Sequence, residues 1–283
     1  MKLLLAVAIA MLAFAANSVL NRAALIGGHS DPVAFGILRL MAGAAVLAPL
    51  IWWRGGSLRA VPGGSVRAVG VFALLIYVGC FSLAYLQLDA GLGALILFGC
   101  VQITMFGGAV LSREPVPALR WIGAAIAFGG LAWLLWPGVG TVVPVGAGAM
   151  MAAAGAAWGV YSLNGRGTGD PLAGTAANFV WAAGAAVLLG AAWSLWPGSY
   201  LRVDAHGAVL AIVSGAVTSG LGYALWYRIL PQLAASSAGA AQLSVPILAT
   251  AGGALLLGEA LTPAFAIAAS IVLGGVALSL IRR

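Results

Sequence analysis

The side chains able to do chemistry in this chain sit inside long apolar stretches rather than in polar loops. Tyr77, Phe81 and Tyr85 fall at i, i+4 and i+8, so a helix through them carries one aromatic stripe on one face. Ser219, Tyr223 and Tyr227 repeat that spacing in the second half of the chain. Asn17, Ser18 and Asn21 interrupt the first apolar run, and Trp158, Tyr161, Ser162 and Asn164 cluster in another. Gln102, and Gln242 with Ser244 and the kink-forming Pro246, complete the set. Ring faces attract an ammonium group, and amides and hydroxyls offer donors to a carboxylate. Anionic sugar phosphates would call for fixed Lys or Arg, and an inorganic cation for rings of oxygen ligands. The pattern therefore suits a small zwitterionic or amphipathic organic solute. Any one of these residues could instead bond a neighbouring helix or pack against lipid, but the matched stripes make them candidates as a set.

The charged residues are placed differently. Arg39 lies about seven residues into an apolar segment, roughly 10 Å deep. It could clamp a substrate carboxylate, but the plainer expectation is that it snorkels or fixes packing between helices. Glu114 and Glu259 fall at helix ends, where a carboxylate can cap the next helix start, and are expected to be structural or gating elements. All six acidic residues, Asp31, Asp89, Glu114, Asp170, Asp204 and Glu259, map to segment boundaries. Proton or sodium coupling usually needs an intramembrane carboxylate, so weak coupling, or efflux down a gradient, is expected.

Catalysis finds little support. Gly167-Thr168-Gly169-Asp170 spells the G-x-G-D string of aspartyl membrane proteases, yet no second aspartate lies within an apolar segment. His29 and His206 stand singly, and neither H-E-x-x-H nor G-x-S-x-G occurs. Cys80 and Cys100 lie in apolar runs and read as small buried hydrophobes. No enzyme activity, metal or cofactor is expected.

The elements that must position these groups follow from composition. Hydrophobic residues make up 63% of 283 positions and charged residues 7%, with a mean hydropathy of +1.10. Such a chain has too little polar surface to face water, and its 41 glycines let helix backbones approach closely in lipid. A net charge of +7 is spread singly along the chain and forms no nucleic-acid-binding stripe.

Segments of about 20 apolar residues, the length of a spanning helix, fall near 3–26, 33–53, 66–87, 91–111, 118–136, 145–164, 172–196, 207–230, 234–257 and 263–281. The first run is longer than a cleavable signal core, so an uncleaved span is expected. Asp31-Pro32, Asp170-Pro171 and Thr262-Pro263 each place an N-cap before a proline at the first helical position. With the N-terminus inside, ten basic residues (Lys2, Arg54, Arg59, Arg67, Arg113, Arg120, Arg166, Arg228, Arg282 and Arg283) face inward and only Arg22 and Arg202 outward. That imbalance puts both termini in the cytoplasm, in an inner (cell) membrane.

The chain also matches itself at an offset of about 140 to 145. Ala42 to Leu47 pairs with Ala183 to Leu188, Gly107 to Leu111 with Glu114 three residues on pairs with Gly252 to Leu256 and Glu259, and Gly129-Gly130 pairs with Gly274-Gly275. Five spans per half is odd, so the second half enters the membrane upside down, and inverted repeats are a transporter signature with a site between the halves.

Leu111-Ser112-Arg113-Glu114 and Leu256-Leu257-Gly258-Glu259, each followed by a Gly-Gly-bearing last helix, resemble the paired EamA domains of the drug/metabolite transporter superfamily. Arg39-Leu40 and Asp31-Pro32 fit the same pattern over essentially the whole chain, although the second-half counterpart of Arg39 falls near Val180-Trp181. The resemblance, closest to ten-helix amino-acid exporters, implies an all-α integral membrane fold of ten transmembrane helices, as two inverted five-helix repeats at 1–140 and 141–283. It implies that the first, third, fourth, sixth, eighth and ninth helices line a cavity, with amino acids, aromatic ones included, exported by alternating access. The expected partners are that solute and the lipid bilayer, with no nucleic acid or obligate protein partner. A flippase for a lipid-linked precursor would share the resemblance and would need a polar opening toward lipid.

Overall fold

The computed structural model describes residues 2–56, 63–113, 117–134, 136, 143–165, 170–229, 232–233 and 241–279. Glu114, Arg59, Arg166, Arg282 and Arg283 lie outside these. Among the described residues there is no strand, and the helices in chain order are α1 (Lys2–Ile26), α2 (Pro32–Trp53), α3 (Gly64–Ala84), α4 (Ala90–Leu111) and α5 (Ala118–Leu134). After these come α6 (Val145–Gly165), α7 (Pro171–Ser194), α8 (Ala205–Ile229), α9 (Ser244–Leu257) and α10 (Pro263–Ser279).

Local chemistry sets several starts. Asp31 Oδ1 accepts from the amides of Val33 and Ala34, and Asp170 Oδ1 from those of Leu172 and Ala173, each just before a proline that has no amide to satisfy. Thr262 Oγ1 accepts from the Phe265 amide and opens α10 the same way. Pro246 is the third residue of α9 and lacks the donor a longer helix would need there. The helix is interrupted at Leu243 accordingly.

Six helices (α1, α2, α3, α4, α7 and α8) are long and apolar enough to cross a membrane, and α5, α9 and α10 are shorter apolar helices. Between them α6 is less apolar because glycines, Trp158, Tyr161 and Ser162 dilute it. Large apolar side chains such as Trp52, Trp53, Leu111, Leu195 and Leu255 remain mostly exposed, a surface suited to lipid rather than water.

The packing runs across the two parts of the chain. α5 lies on α10, α2 on α7 and α8, α4 on α6 and α9, and α1 on α8 and α9, while α3 lies on α6. Backbones approach closely where glycine permits. A side chain on Gly215 of α8 would collide with the Arg39 carbonyl of α2.

Directions follow from the end contacts. The Arg22 guanidinium near the end of α1 donates to the Tyr85 carbonyl, 2.8 Å away at the end of α3. Asn164 at the end of α6 donates to the Val66 carbonyl, 2.8 Å away at the start of α3. α1 and α6 therefore run oppositely through the bundle. One end of the bundle is thus the Glu259 end, with the close of α1 and α3, and the other the Arg67 end, with the start of α3 and the close of α6.

α8 departs from simple periodicity. Ser214–Leu221 forms a π-helical stretch flanked by α-helix, and such bulges re-aim side chains within an otherwise continuous helix.

Candidate functional site

Away from both ends, α1, α3, α6 and α8 bring their polar and aromatic residues together around a cleft, and α4 adds Leu97 and Phe98. Trp158 of α6 joins the two stripes: its ring centroid lies 5.0 Å from Tyr77 of α3 and 5.0 Å from Tyr223 of α8. Tyr161, one turn on, stacks against Trp158 at 5.3 Å and 14°. Phe81 follows Tyr77 at 5.3 Å, and Phe14 and Phe179 flank Tyr223 edge-on at 5.7 and 6.0 Å. Edge and tilted ring contacts of this kind fix an aromatic wall more firmly than burial alone.

Asn17 supplies the polar centre. Its Nδ2 donates to the Tyr77 hydroxyl (3.3 Å), and its Oδ1 accepts from Ser214 Oγ and from Thr218 Oγ1 (3.3 Å). Ser214 and Thr218, at i and i+4, face Asn17 while Ser219, the next residue, faces Arg39 of α2. Phe14, Asn17, Ser18, Tyr77, Phe81, Trp158, Thr218 and Tyr223 bound the cleft, which is narrow as it stands, with about 20 Å³ of free room, enough for one water molecule.

Of the residues singled out from sequence, Asn17, Ser18, Tyr77, Phe81, Trp158 and Tyr223 line this cleft. Ser219 joins it through Arg39, whose guanidinium also donates to the Tyr77 hydroxyl at 3.0 Å. Asn21 is buried one turn away and donates to Ser82 Oγ at 3.0 Å. Tyr85 turns toward the Glu259 end, donating to the Ala90 carbonyl at 3.2 Å. Tyr161 and Tyr227 line a separate cleft at the Arg67 end, where the Tyr161 hydroxyl donates to Thr175 (3.2 Å) and Arg67 to Asn178 Oδ1 (2.8 Å).

Ser162 bonds the Trp158 carbonyl of its own helix, and Ser244 the Ala241 carbonyl at the start of α9. Gln102 and Gln242 are half-buried and do not line the cleft. Phe14, Ser214 and Thr218 were not singled out from sequence. Phe14 precedes Asn17 by one turn, and Ser214 and Thr218 are hydroxyls at i, i+4 in an apolar helix, so both signals were present.

Charge gathers at the Glu259 end. Arg22 Nε lies 3.3 Å from Glu259 Oε1 and Nη2 lies 3.4 Å from Asp89. Glu259 Oε2 accepts from the Ala90 amide at 2.8 Å. Gly258, in the left-handed region at φ +70°, turns the chain back so that the carboxylate lies over Gly253, where any side chain would collide with it. Burial lifts the Glu259 carboxyl above the usual glutamate range, outweighing the Ala90 amide and Arg22. Nearby, Asp204 caps α8 and meets His29 Nδ1 at 2.7 Å. Its carboxyl is held below the usual range, first by the Gly207 amide and then by His29. Among the described residues no group of three metal-ligating side chains forms.

The sequence pattern of the EamA-like transporter family matches residues 1–136 and again 146–281. The uncharacterized protein PA1977 of Pseudomonas aeruginosa is 47% identical over 282 residues, covering 99% of this chain and 95% of its own. A crystal structure of a protein 20% identical superposes with a TM-score of 0.67, covering 96% of this chain and 94% of its own, a likeness of fold. Two family matches, laid end to end over apolar helices that enclose an aromatic cleft, make the chain a multi-pass membrane protein and a member of the EamA-like transporter family.

Proposed function

We propose that this transporter exports small zwitterionic solutes, amino acids including aromatic ones foremost, by alternating access to the cleft around Trp158. The observation that carries this reading is Trp158 standing between Tyr77 and Tyr223, with Asn17 beside them, on helices drawn from both parts of the chain. Ring faces suit an ammonium group or an aromatic side chain.

In this reading residues 1–140 and 141–283 are two five-helix repeats inverted with respect to each other, together making ten spans. The opposed directions of α1 and α6 support it, as does the exchange of partners in which α4 lies on α6 while α1 lies on α9. Rocking of one repeat against the other then opens the cleft to either side. The distribution of basic residues supports an orientation in an inner membrane with both termini and the Arg67 end facing the cytoplasm and the Glu259 end facing outward.

The test is flux of labelled phenylalanine in proteoliposomes, competed by a panel of amino acids. The proposal expects competition by phenylalanine, tyrosine and tryptophan at concentrations where sugars and sugar phosphates do nothing. Competition by sugar phosphates alone, or by none of the amino acids, would refute it.

A further inference from the structure

Among the described residues no anion pairs with the guanidinium of Arg39, which is enclosed in the bundle. The side chain is 0% exposed. Nε donates to Ser219 Oγ at 3.3 Å and Nη2 to the Tyr77 hydroxyl at 3.0 Å. The central carbon lies 5.1 and 5.0 Å from the ring centroids of Tyr77 and Phe81. Nη1 is buried and has no hydrogen-bond partner among the described residues. All four neighbouring contacts are to neutral groups.

Each acidic residue among the described ones is engaged elsewhere: Asp31 and Asp170 cap α2 and α7, Asp204 caps α8, and Asp89 and Glu259 hold Arg22. A buried charge without a counter-ion is among the costliest arrangements in a protein interior, and more so in lipid. Its orphaned N–H adds a further penalty. Snorkelling would put the head group at the lipid boundary, and here it is enclosed. Pure packing would be served as well by a neutral side chain.

We infer that Arg39 receives the carboxylate of the transported solute, an inference that rests on the central cleft being the transport site. Tyr77 connects the two, because its ring lines the cleft while its hydroxyl oxygen accepts from Arg39 and from Asn17. Two donors already reach that oxygen, so its own proton is directed into the cleft, where Tyr223 is its neighbour. A carboxylate entering beside Tyr77 takes that proton and Arg39 Nη1 together, a charge-assisted pair. The remainder of the solute then lies against Trp158 and Tyr223. The carboxylate becomes the obligatory feature of the solute and the ammonium a secondary one.

Four ligands separate these groups: L-phenylalanine, 3-phenylpropionate, phenethylamine and L-phenylalaninamide, titrated calorimetrically into the purified protein. The two carboxylates should bind about tenfold or more tightly than the amine and the amide. Arg39→Gln should bring the carboxylates down to the amide's affinity, and Arg39→Lys should retain part of the preference, losing the fork but keeping the charge.

Equal binding of acid and amide by the unaltered protein would overturn the inference, and needs no variant to be read. So would an undiminished acid preference in Arg39→Gln. Binding of amine and amide alone would refute Arg39's role while leaving the aromatic cleft as a binding site. Silence of all four ligands would overturn both this inference and the amino-acid reading.

Discussion

At the Glu259 end, Arg22 reaches the Tyr85 carbonyl, Asp89 and Glu259 at once, and Ser30 pairs with Val203 across two loops. At the Arg67 end, Arg67 donates to the Gly174 carbonyl and the Asn178 amide oxygen, and Asn164 to the Val66 carbonyl. One end is latched by ion pairs around a half-buried carboxylate, the other by hydrogen bonds to neutral acceptors. A hydrogen bond from Arg67 to an uncharged acceptor, though charge-assisted, exchanges for one to water, whereas an ion pair with little exposure leaves an unpaired charge when it parts. Among the described residues the two ends are thus held by different contacts, and at the Glu259 end burial raises the affinity of Glu259 for its proton.

Breaking the latch should produce the largest effect. Arg22→Ala leaves Asp89 and Glu259 facing each other without a cation, and should cost about 2 to 3 kcal/mol of unfolding stability in detergent denaturation. A loss below about 0.5 kcal/mol would mean the pairs are solvent-screened, as exposed ones are.

Glu259→Gln sharpens the comparison through pH. The folded protein binds the Glu259 proton more tightly than the unfolded chain does. That contribution to stability is therefore fully present below the ordinary glutamate value and is lost as pH rises through the raised folded value. The thermal midpoint should rise on acidification across this window in the unaltered protein and lose that rise in Glu259→Gln. Identical slopes in the two would contradict the assignment.

Arg67→Ala should cost less than Arg22→Ala, about 1 kcal/mol, since water replaces its acceptors readily. Equal losses would erase the difference between the ends. The smallest effect belongs to Asp204→Asn, in which the amide still caps α8. Asp204's lowered carboxyl contributes stability above the ordinary value that is lost as pH falls through the folded one. The variant should lie slightly below the unaltered midpoint near neutrality and converge with it in acid, read by thermal denaturation across pH.

Much of this molecule was legible in its residues. Asp-Pro and Thr-Pro pairs announced three helix starts because cap and proline chemistry is local. The stripe of Tyr77, Phe81 and Tyr85 shares one face because helical periodicity is local too. What lay beyond the sequence was non-local or irregular. The π-helical stretch of α8, Ser214–Leu221, is one such irregularity, since nothing in an apolar run announces a change of helical ladder. Tyr85 and Tyr227, equivalent to their neighbours by spacing, are drawn off by the Ala90 carbonyl and the Arg67-end cleft. Glu259 depends on a glycine turn and an arginine more than two hundred residues away in sequence.

The central claim, that solute passes through the cleft where Trp158 bridges Tyr77 and Tyr223, is tested most directly by replacing Trp158 with Ala. Labelled phenylalanine flux is then measured in proteoliposomes at equal amounts of folded protein. Loss of both ring contacts should lower flux by about tenfold at subsaturating solute. Flux equal to that of the unaltered protein would contradict the account.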